Sequence, residues 1–564
     1  MKELKKLTLK NVIDRSVEQF PERPALSWVD GEPITYKQLG EKTREIMNLL
    51  QNQGIVAGDR VAILSENKPH WGIVYFAITS MGAVAVPILP DFHPNEVHHI
   101  IRHAECKAVF ISERLYDKLE EGPFDVLQTV ILIDDFSLIP PATKKDKLKE
   151  MAMEGAKEFA KLKEAALRMA GKRPAEVDEE DLAVIIYTSG TTGHSKGVML
   201  THKNIVFDAQ ETLKIQMVTE HDRLLSVLPL SHTYECTIGL VIPLMQGACV
   251  YYIDKPPTAR VLLPAMQKIK PTMMLTVPLI IEKIFKMRIL PQLTSSSMMK
   301  KLYSVKPIRK QLHKIAGKKL LKTFGGELQF YGIGGASLAP EVEMFLREAR
   351  FPYAIGYGLT ETSPLVAGCG PKVTKFRSTG PPLPGVEVKI DNPNPQTGEG
   401  EILVRGPNVM KGYYKDPERT AEVMTADGWF KTGDLGVFDE DGYLYIKGRL
   451  KNMIVGPSGE NIYPEEIEAI INEFEYVLES LVFQRGDRLV ARVHLNYEEL
   501  DKEFANSKLS ESQIRKNIEE LLEELRKNVN ARVSSFSRIH KIIEQTEPFE
   551  KTPTQKIKRY LYVE

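Results

Sequence analysis

The stretch Tyr187–Gly197 has the composition of a loop that could hold phosphate groups. Eight of its residues are Gly, Ser or Thr, and Lys196 stands near its end. Glycine lets backbone amides turn toward an anion, hydroxyl groups donate hydrogen bonds to phosphate oxygens, and the lysine neutralises charge. It is not a Walker A loop, because Ser195 occupies the position where that motif requires glycine. A flexible surface turn is the alternative, but the apolar run from Ala183 places this loop directly after a predicted strand.

A second stretch, Gly356–Thr362, carries an aromatic residue and a carboxylate. Tyr357 lies between two glycines, which leaves room for a planar base to stack on its ring. Glu361 is a hard oxygen ligand of the kind that Mg²⁺ on a triphosphate prefers. Upstream, the glycines of Tyr331–Ala336 predict a wall without side chains against which a ligand can lie. Together these features favour a nucleotide site, although each alone is also typical of an ordinary turn.

Two later clusters supply groups that could bind a ribose. Lys431–Gly436 contains Asp434, and Lys447–Asn452 contains Arg449. A carboxylate and a guanidinium can both hydrogen-bond to the two hydroxyls of a ribose. Taken singly, each cluster is more often a solvated turn.

The elements that must position these loops are predicted from the hydrophobic pattern. Continuous apolar runs alternate with helical stretches over the first part of the chain. These runs are Val61–Leu64, Ala83–Ile88, Ala108–Ile111, Val130–Ile133 and Ala183–Tyr187. Such runs are typical of parallel strands that helices cover on both faces, so the predicted fold class is α/β. After Gly380 the pattern changes to short strands of alternating polarity, which indicates antiparallel sheet.

The same pattern predicts two domains of unequal size. We expect a large N-terminal domain of stacked α/β sheets over residues 1–450, with a β-rich part at about 380–450. A small α+β domain is expected over 451–564, because strands recur there beside a charged helix near 510–529. The predicted boundary lies at about Leu450–Lys451.

Composition excludes several classes of protein. Across 564 residues, 75 Lys and Arg balance 75 Asp and Glu, whereas a general nucleic-acid binder usually shows a basic excess. The four cysteines are too far apart for a zinc or redox motif and fit a reducing compartment. No apolar segment follows the charged N-terminus, so we expect no secretory signal and a cytoplasmic protein. The uncharged stretch Cys236–Ile253 is interrupted by Pro243 and Gly247, which favours a buried helix, a glycine turn and a core strand over a membrane span.

One segment raises the question of contact with a membrane. Thr143–Gly171 has apolar residues at helical spacing, and residues 144–173 hold ten basic and five acidic side chains. A surface helix with a solvated basic face is the simpler interpretation. The alternative is a patch that touches an anionic membrane, as a lipid-handling enzyme would need.

Taken in this order, the motifs resemble those of the adenylate-forming superfamily, which includes acyl-CoA synthetases, non-ribosomal peptide adenylation domains and luciferases. The resemblance covers nearly the whole chain, from about residue 7 to the C-terminus. Lys551–Arg559 and the loop Gly459–Pro464 are most similar to bacterial long-chain fatty acyl-CoA synthetases. The resemblance implies an ATP-dependent long-chain fatty acid–CoA ligase. In such an enzyme the carboxylate attacks the α-phosphorus of ATP to give acyl-adenylate and pyrophosphate, and the CoA thiol then displaces AMP.

The resemblance also assigns roles to individual residues. For ATP it implies Thr188, Ser189, Gly190, Thr191, Thr192, Lys196, Gly335, Ala336, Tyr357, Gly358, Asp434 and Arg449. For catalysis it implies Lys556, Thr360, Glu361 and His232, with Glu361 also binding Mg²⁺. For CoA it implies Gly456, Ser458 and Gly459, presented by a mobile C-terminal domain that turns about a hinge at Lys451. From the residues alone, a solvated lysine is the simpler interpretation of Lys556, and His232 could equally be a buried histidine bonded to backbone.

Three positions depart from the pattern of that superfamily. Ser195 stands where proline is common, Ile355 where an amide residue often contacts adenine, and Gln555 where glycine is frequent. None of them removes a charged catalytic group, so activity is still expected. An acyl–acyl-carrier-protein synthetase, a medium-chain or aryl-CoA ligase, and a degenerate nucleotide-binding member are the alternatives. Acyl chain length, a homodimer and peripheral membrane contact stay open.

Overall fold

Two large, mostly parallel sheets form the framework of the chain. The computed structural model describes residues 4–120, 122, 125–153, 155, 176–188, 195–455, 461–486, 488–500, 511–552 and 556–563. The first large sheet has, in spatial order, the strands Tyr353–Ile355, Phe330–Ile333, Met273–Thr276, Arg223–Leu225, Cys249–Tyr252, Pro24–Trp28 and Ile34–Thr35. The second large sheet has the strands Gly412–Tyr413, Lys196–Thr201, Leu182–Thr188, Val84–Ile88, Arg60–Leu64, Cys106–Ile111, Thr129–Leu132 and Leu138–Ile139. The predicted apolar runs thus form the parallel centre of the second large sheet, and the α/β class is confirmed.

Helices cover and separate these sheets. The α-helices are Leu9–Gln19, Tyr36–Asn52, Pro69–Ser80, Pro94–His103, His202–Ile215, Ile242–Gln246, Ala259–Ile269, Pro278–Ile284, Leu290–Leu293, Ser297–Ser304, Lys306–Thr323, Pro340–Ala349, Pro417–Val423, Pro464–Ile471 and Glu511–Asn530. Short 3-10 helices are Glu113–Lys118, Lys145–Lys147, Thr360–Thr362, Leu450–Asn452, Ser535–Ser537 and Arg559–Leu561, and π-helices are Tyr234–Val241 and Phe285–Ile289.

The helix Pro69–Ser80 lies between the two large sheets. It contacts the strand Pro24–Trp28 on one side and the strands Arg60–Leu64 and Val84–Ile88 on the other. Every residue of this helix except His70 is buried. A helix that is apolar on all sides is stable only inside a core, so its sequence explains its place.

From residue 357 onward the described strand pairs are antiparallel, except that Ile539–Glu544 lies parallel to Arg488–Leu495. The strands Glu387–Asp391, Gly400–Arg405, Phe430–Phe438 and Leu444–Arg449 form one sheet, and Tyr357–Gly358 pairs with Leu365–Ala367. Further on, Ile454–Val455 pairs with Asn461–Ile462, and a last sheet holds Val477–Arg485, Arg488–Leu495 and Ile539–Glu544. This last part has its own apolar core, which includes Ile467, Val493 and Val529.

Two expectations about single segments have different outcomes. Cys236–Ile253 forms the end of a π-helix, the helix Ile242–Gln246, a turn at Gly247 with φ +80°, and the strand Cys249–Tyr252, as predicted. In the part of the chain that the structure describes, no helix has the length and apolarity to cross a bilayer. Of the predicted basic helix, residues 148–153 are helical, whereas 154 and 156–175 lie outside the described residues.

The four cysteines, Cys106, Cys236, Cys249 and Cys369, are all buried and form no disulfide. Burial raises the pKa of the first three thiols to about 12 and that of Cys369 to about 11. None of them is a thiolate near neutral pH.

Candidate active site

A β-hairpin at the edge of the second large sheet carries the predicted phosphate loop. Thr188 ends one strand and Lys196 begins the next, and the two residues are partners in the antiparallel register. The buried Oγ1 of Thr188 has no hydrogen-bond partner among the described residues, so it is available to a ligand. Residues 189–194, which include the predicted Ser189, Gly190, Thr191 and Thr192, lie outside the described residues.

Lys196, Glu361 and Tyr413 form a closed triangle of hydrogen bonds. The Lys196 Nζ lies 2.8 Å from Glu361 Oε1 and 2.7 Å from the Tyr413 hydroxyl, which in turn donates to Glu361 Oε1 at 2.9 Å. Burial would raise the pKa of Glu361, but the charge of Lys196 and the hydrogen bonds it receives outweigh burial, so its pKa is lowered. Glu361 is therefore an ionised carboxylate at neutral pH.

Tyr413 was not predicted, and the strand order explains how it reaches the site. The strand Gly412–Tyr413 adds to the edge of the hairpin, where Tyr413 pairs with Val198. Glu361 lies in the 3-10 helix Thr360–Thr362, whose position is fixed by the Met410 amide donating to the Glu361 carbonyl. The predicted Thr360 is buried in the same turn.

A second polar group joins Tyr357, Asp434 and Arg449. The Tyr357 hydroxyl donates to Asp434 Oδ2 at 2.7 Å, and the Arg449 Nε lies 2.8 Å from Asp434 Oδ1. Asp434 and Arg449 are register partners on adjacent antiparallel strands, so the sheet itself brings them together. Burial raises the pKa of Asp434, and the charge of Arg449 opposes that shift. The two clusters predicted to bind a ribose thus form one site with the predicted aromatic residue.

Glycines line the opposite wall of this site. Gly335 has φ +87°, a conformation that favours glycine, and Gly335 and Ala336 are exposed toward the cleft. At Gly358 a Cβ atom would lie 1.8 Å from the Pro364 carbonyl oxygen, so only glycine fits. A Cβ at Gly334 would meet the Tyr234 ring at 3.1 Å, which shows that this ring packs against the glycine wall.

His232 is half-buried and lines the same cleft. Its Nδ1 accepts a hydrogen bond from the Tyr234 amide at 3.2 Å, so the proton of the neutral ring is on Nε2. Burial, with a smaller contribution from the charge of Lys556, lowers the pKa of His232 to about 4. The histidine is neutral at pH 7 and adds no charge to the cleft.

Glu235 is a second residue that the sequence analysis missed. It is 2% exposed, accepts a hydrogen bond from the Ser226 hydroxyl, and leaves Oε2 without a partner among the described residues. Burial raises the pKa of Glu235 to about 8, and the Ser226 hydrogen bond opposes the shift. This side chain is therefore a neutral acid at pH 7. The sequence does hint at this site, because Glu235 is an acidic residue directly before the uncharged stretch that begins at Cys236.

Lys556 reaches the cleft from the C-terminal segment. Its side chain is exposed to solvent and lines the cleft. Partial desolvation in the cleft and the charge of Arg449 lower the pKa of Lys556, whereas Asp434 and Glu361 oppose the shift. Arg559 anchors the segment, because its guanidinium lies 2.8 Å from Glu468 and donates to the Val482 carbonyl.

The predicted hinge and CoA residues lie at the border of the described chain. Lys451 belongs to the 3-10 helix Leu450–Asn452 and lines the cleft. Gly456, Ser458 and Gly459 lie outside the described residues.

Those of these groups that the structure describes line one cleft of about 2570 Å³. Single small-ligand sites usually measure about 300–1,000 Å³, so this cleft has room for more than one substrate. Among the described residues, no cluster of three or more His, Cys, Asp or Glu forms a ready metal cage. Mg²⁺ usually keeps several of its waters and is bound by one or two carboxylates together with substrate phosphates. The ionised carboxylate of Glu361 could supply one such ligand.

Comparisons with known proteins identify the family and the fold of this chain. The profile of the family described as AMP-binding enzyme matches residues 13–414. Long-chain-fatty-acid–CoA ligase 1 of Cavia porcellus is 30% identical, over 86% of this chain and 72% of the ligase. Long-chain-fatty-acid–CoA ligase FadD15 of Mycobacterium bovis is 29% identical, over 81% of this chain and 75% of that ligase. The fold matches that of O-succinylbenzoate coenzyme A synthetase from Bacillus subtilis in complex with ATP and magnesium ion, with a TM-score of 0.72, 22% identity, and coverage of 97% and 98% of the two chains.

Proposed function

Since the chain belongs to the AMP-binding enzyme family, we propose that it is an ATP-dependent long-chain fatty acid–CoA ligase that releases AMP and pyrophosphate. The observation that carries this function is the meeting of Lys556, Glu361 and Asp434 in one cleft, although they are far apart in sequence. A positive group beside a nucleotide site is what attack of a carboxylate on a phosphate needs.

In this proposal, the ATP ligands come from both polar groups of the site. Thr188 and Lys196 would bind the terminal phosphates together with the loop 189–192. Asp434 and Arg449 would bind the ribose, and the adenine would lie between Tyr357 and the wall at Gly335 and Ala336, next to Gly358. Glu361 would hold Mg²⁺, which when bound supplies positive charge to the phosphates. Thr360 would contact the α-phosphate.

Lys556 is the proposed catalytic cation of the first step. A carboxylate oxygen of the fatty acid attacks the α-phosphorus, and the bond from that phosphorus to pyrophosphate breaks. The Lys556 ammonium stabilises the negative charge that both anions bring to this point and transfers no proton. His232, which is neutral, lets a carboxylate approach without adding charge of either sign.

The second step is proposed to use the same cleft with a different partner. The CoA thiol attacks the acyl carbonyl, and AMP leaves. We infer that the small domain, residues 451–564, turns about Lys451 and presents Gly456, Ser458 and Gly459 to CoA. Support comes from the separate apolar core of this part of the chain. Four unpaired, buried cysteines fit the reducing cytoplasm, where we place this step of lipid metabolism.

The test is AMP release with ATP and Mg²⁺ across carboxylic acids from acetate to stearate and benzoate, each with and without CoA. CoA-dependent release that peaks with long chains is expected. Release that ignores CoA would indicate a carrier-protein acceptor, a peak at benzoate would indicate an aryl-CoA ligase, and no release with any acid would contradict the proposal.

A pair of variants tests the role of Lys556. Lys556→Ala is expected to slow adenylation by about 100-fold or more, because one preorganised stabilising group is lost, while ATP still binds. Lys541→Ala is the matched control, since this exposed lysine of the same domain is on a strand away from the cleft. Adenylation by Lys556→Ala at the rate of the control would show that the assignment is wrong.

A further inference from the structure

Residues 283–322 form a long segment with positive charge only. They contain twelve Lys and Arg and no Asp or Glu. Outside this segment the chain has 63 basic residues and 75 acidic residues. The neutral chain is therefore polarised, with one strongly basic segment and a remainder that is net acidic.

The segment folds into consecutive helices on the surface, and the helix Lys306–Thr323 is the longest of them. One side of this helix packs on the core through His313, Gly317 and Leu320. The other side exposes Ile308, Ile315, Lys319 and Lys322, which follow each other at spacings of 7, 4 and 3 residues. Such spacing places them on one outward face of a helix.

The cations of this surface are exposed and not neutralised. The exposed ones are Lys283, Arg288, Lys300, Lys301, Lys306, Lys310, Lys318, Lys319 and Lys322. None of these nine forms an ion pair with a carboxylate of the described residues. By contrast, Arg309 is half-buried and pairs with Glu348 at 2.8 Å, and Lys286 donates to the Asn472 carbonyl.

Large apolar side chains stand exposed among these cations. They are Met287, Met298, Val305, Ile308 and Ile315, with exposed fractions of 61%, 71%, 45%, 37% and 56%. They make up five of the sixteen exposed large hydrophobic residues in the described chain, although the segment is only 40 of 564 residues. Cations mixed with exposed aliphatic side chains are typical of surfaces that insert into the headgroup region of an anionic bilayer.

We propose that the surface formed by residues 283–322 docks the enzyme on an anionic lipid bilayer. Charge selects the anionic lipid, and the aliphatic side chains enter the boundary between headgroups and acyl chains. An acidic protein would be attracted by the same charges. The five scattered aliphatic side chains would add to its affinity only if that protein had a groove to receive them. The bilayer is therefore the partner that uses both features of this surface.

The docking surface is continuous with the catalytic cleft. Met287 and Lys300 belong to the surface and also line the cleft, as does Leu290 between them. A lipid surface held here would face an opening of the cavity in which Lys556 and His232 lie. On the proposed function, this arrangement lets a long-chain carboxylate pass from the bilayer to the cleft with little exposure of its apolar chain to water.

The experiment is flotation of the full chain with vesicles of phosphatidylcholine alone or mixed with phosphatidylglycerol, at about 0.1 M salt. Binding only to the mixed vesicles is expected. The test variant changes four lysines to glutamine, at Lys310, Lys318, Lys319 and Lys322. Its partition coefficient should fall about fivefold per lysine, so on the order of several hundredfold in all. The control changes Lys144, Lys145, Lys147 and Lys149 to glutamine, four exposed lysines of the other basic segment, of which Lys145 pairs with Asp117; it should bind like the natural chain.

Three results would overturn the proposal. They are equal binding to both vesicle types, full binding by the test variant, or an equal loss in the control. The variant Ile308→Ser/Ile315→Ser gives a fourth criterion. It should also bind the mixed vesicles weakly, because it lacks two of the aliphatic side chains. If it binds normally and soluble polyglutamate displaces the vesicles, charge alone is recognised and the partner is an acidic protein.

Flotation is measured without ATP or fatty acid, so a failure of the proposed ligase activity leaves this result interpretable. Wild-type far-UV circular dichroism and an unchanged unfolding midpoint show that each variant is folded.

Discussion

Lys196 is expected to hold Glu361 in its charged form, and removing the lysine should therefore destabilise the fold. In the Lys196→Met variant, the Glu361 carboxylate would keep only neutral donors, the Tyr413 hydroxyl and its own backbone amide. The two charged side chains are 24% and 8% exposed, so water cannot replace the lost partner fully. Breaking a buried pair on one side costs about 3–5 kcal/mol, because it leaves an uncompensated buried charge.

The double variant Lys196→Met/Glu361→Gln separates this effect from a general loss of packing. Since no charge remains unpaired in it, the two single effects should not add, and a coupling energy of about 2 kcal/mol or more is expected. Lys203→Met is the matched control. Lys203 and Glu180 are also 2.8 Å apart, but they are 36% and 65% exposed, and loss of such a pair should cost at most about 1 kcal/mol.

The assay is urea unfolding of each variant between pH 4 and pH 8. In the natural chain the pKa of folded Glu361 is lowered, so its stabilising contribution is present above the unfolded pKa and is lost as pH falls. In Lys196→Met burial dominates and raises the pKa, so stability should instead fall as pH rises above the unfolded value of about 4.3, by up to about 1.4 kcal/mol per pH unit. Additive single effects, or a slope of unchanged sign in Lys196→Met, would refute the reasoning.

Three further variants test other parts of the site. Tyr413→Phe removes one donor to Glu361 and should raise its pKa, so the acid limb of the pH–rate profile for adenylation moves to higher pH; an unmoved limb would count against this role. In the natural chain, Glu235 should make stability fall as pH rises from about 4.3 to about 8, because the raised pKa keeps the folded acid protonated while the unfolded one ionises. Glu235→Gln should abolish this fall. A slope that persists in urea unfolding of Glu235→Gln would assign it to another group. Lys451→Pro should spare adenylation and block thioester formation, because proline would fix the backbone at the proposed hinge. Equal loss in both half-reactions, measured by pyrophosphate and acyl-CoA release, would contradict this assignment.

Much of the framework could be predicted because its signals are local. A strand that is buried on both faces must be apolar throughout, and Ala183–Tyr187 shows this directly. The glycine and hydroxyl residues after it mark the hairpin loop, and the helix Pro69–Ser80 reveals its central position by lacking a polar face. In each of these segments, a short stretch of sequence contains the whole pattern that its place in the fold requires.

Other parts of the site could not be predicted because their contacts are long-range. Tyr413 is 217 residues from Lys196, and only the order of strands in the sheet places its hydroxyl beside that lysine. No local pattern distinguishes it from Tyr414. The excess of basic residues in 283–322 is visible in the sequence. The exposure of Ile308 and Ile315, however, follows only from the way their helix packs on the core.

The burial of every native thiol has a practical consequence for watching this enzyme work. Thiol-directed dyes react with thiolates at the surface, and the four buried cysteines offer none. A cysteine introduced at Lys203 and another at Lys541 would thus be the reactive sites in an otherwise natural chain, one on each of the two proposed domains. Energy transfer between two dyes placed there would test the proposed rotation of the small domain during turnover. The same burial keeps these cysteines from exchanging with oxidised thiol compounds, so a thiol substrate can be supplied at high concentration without modifying the protein.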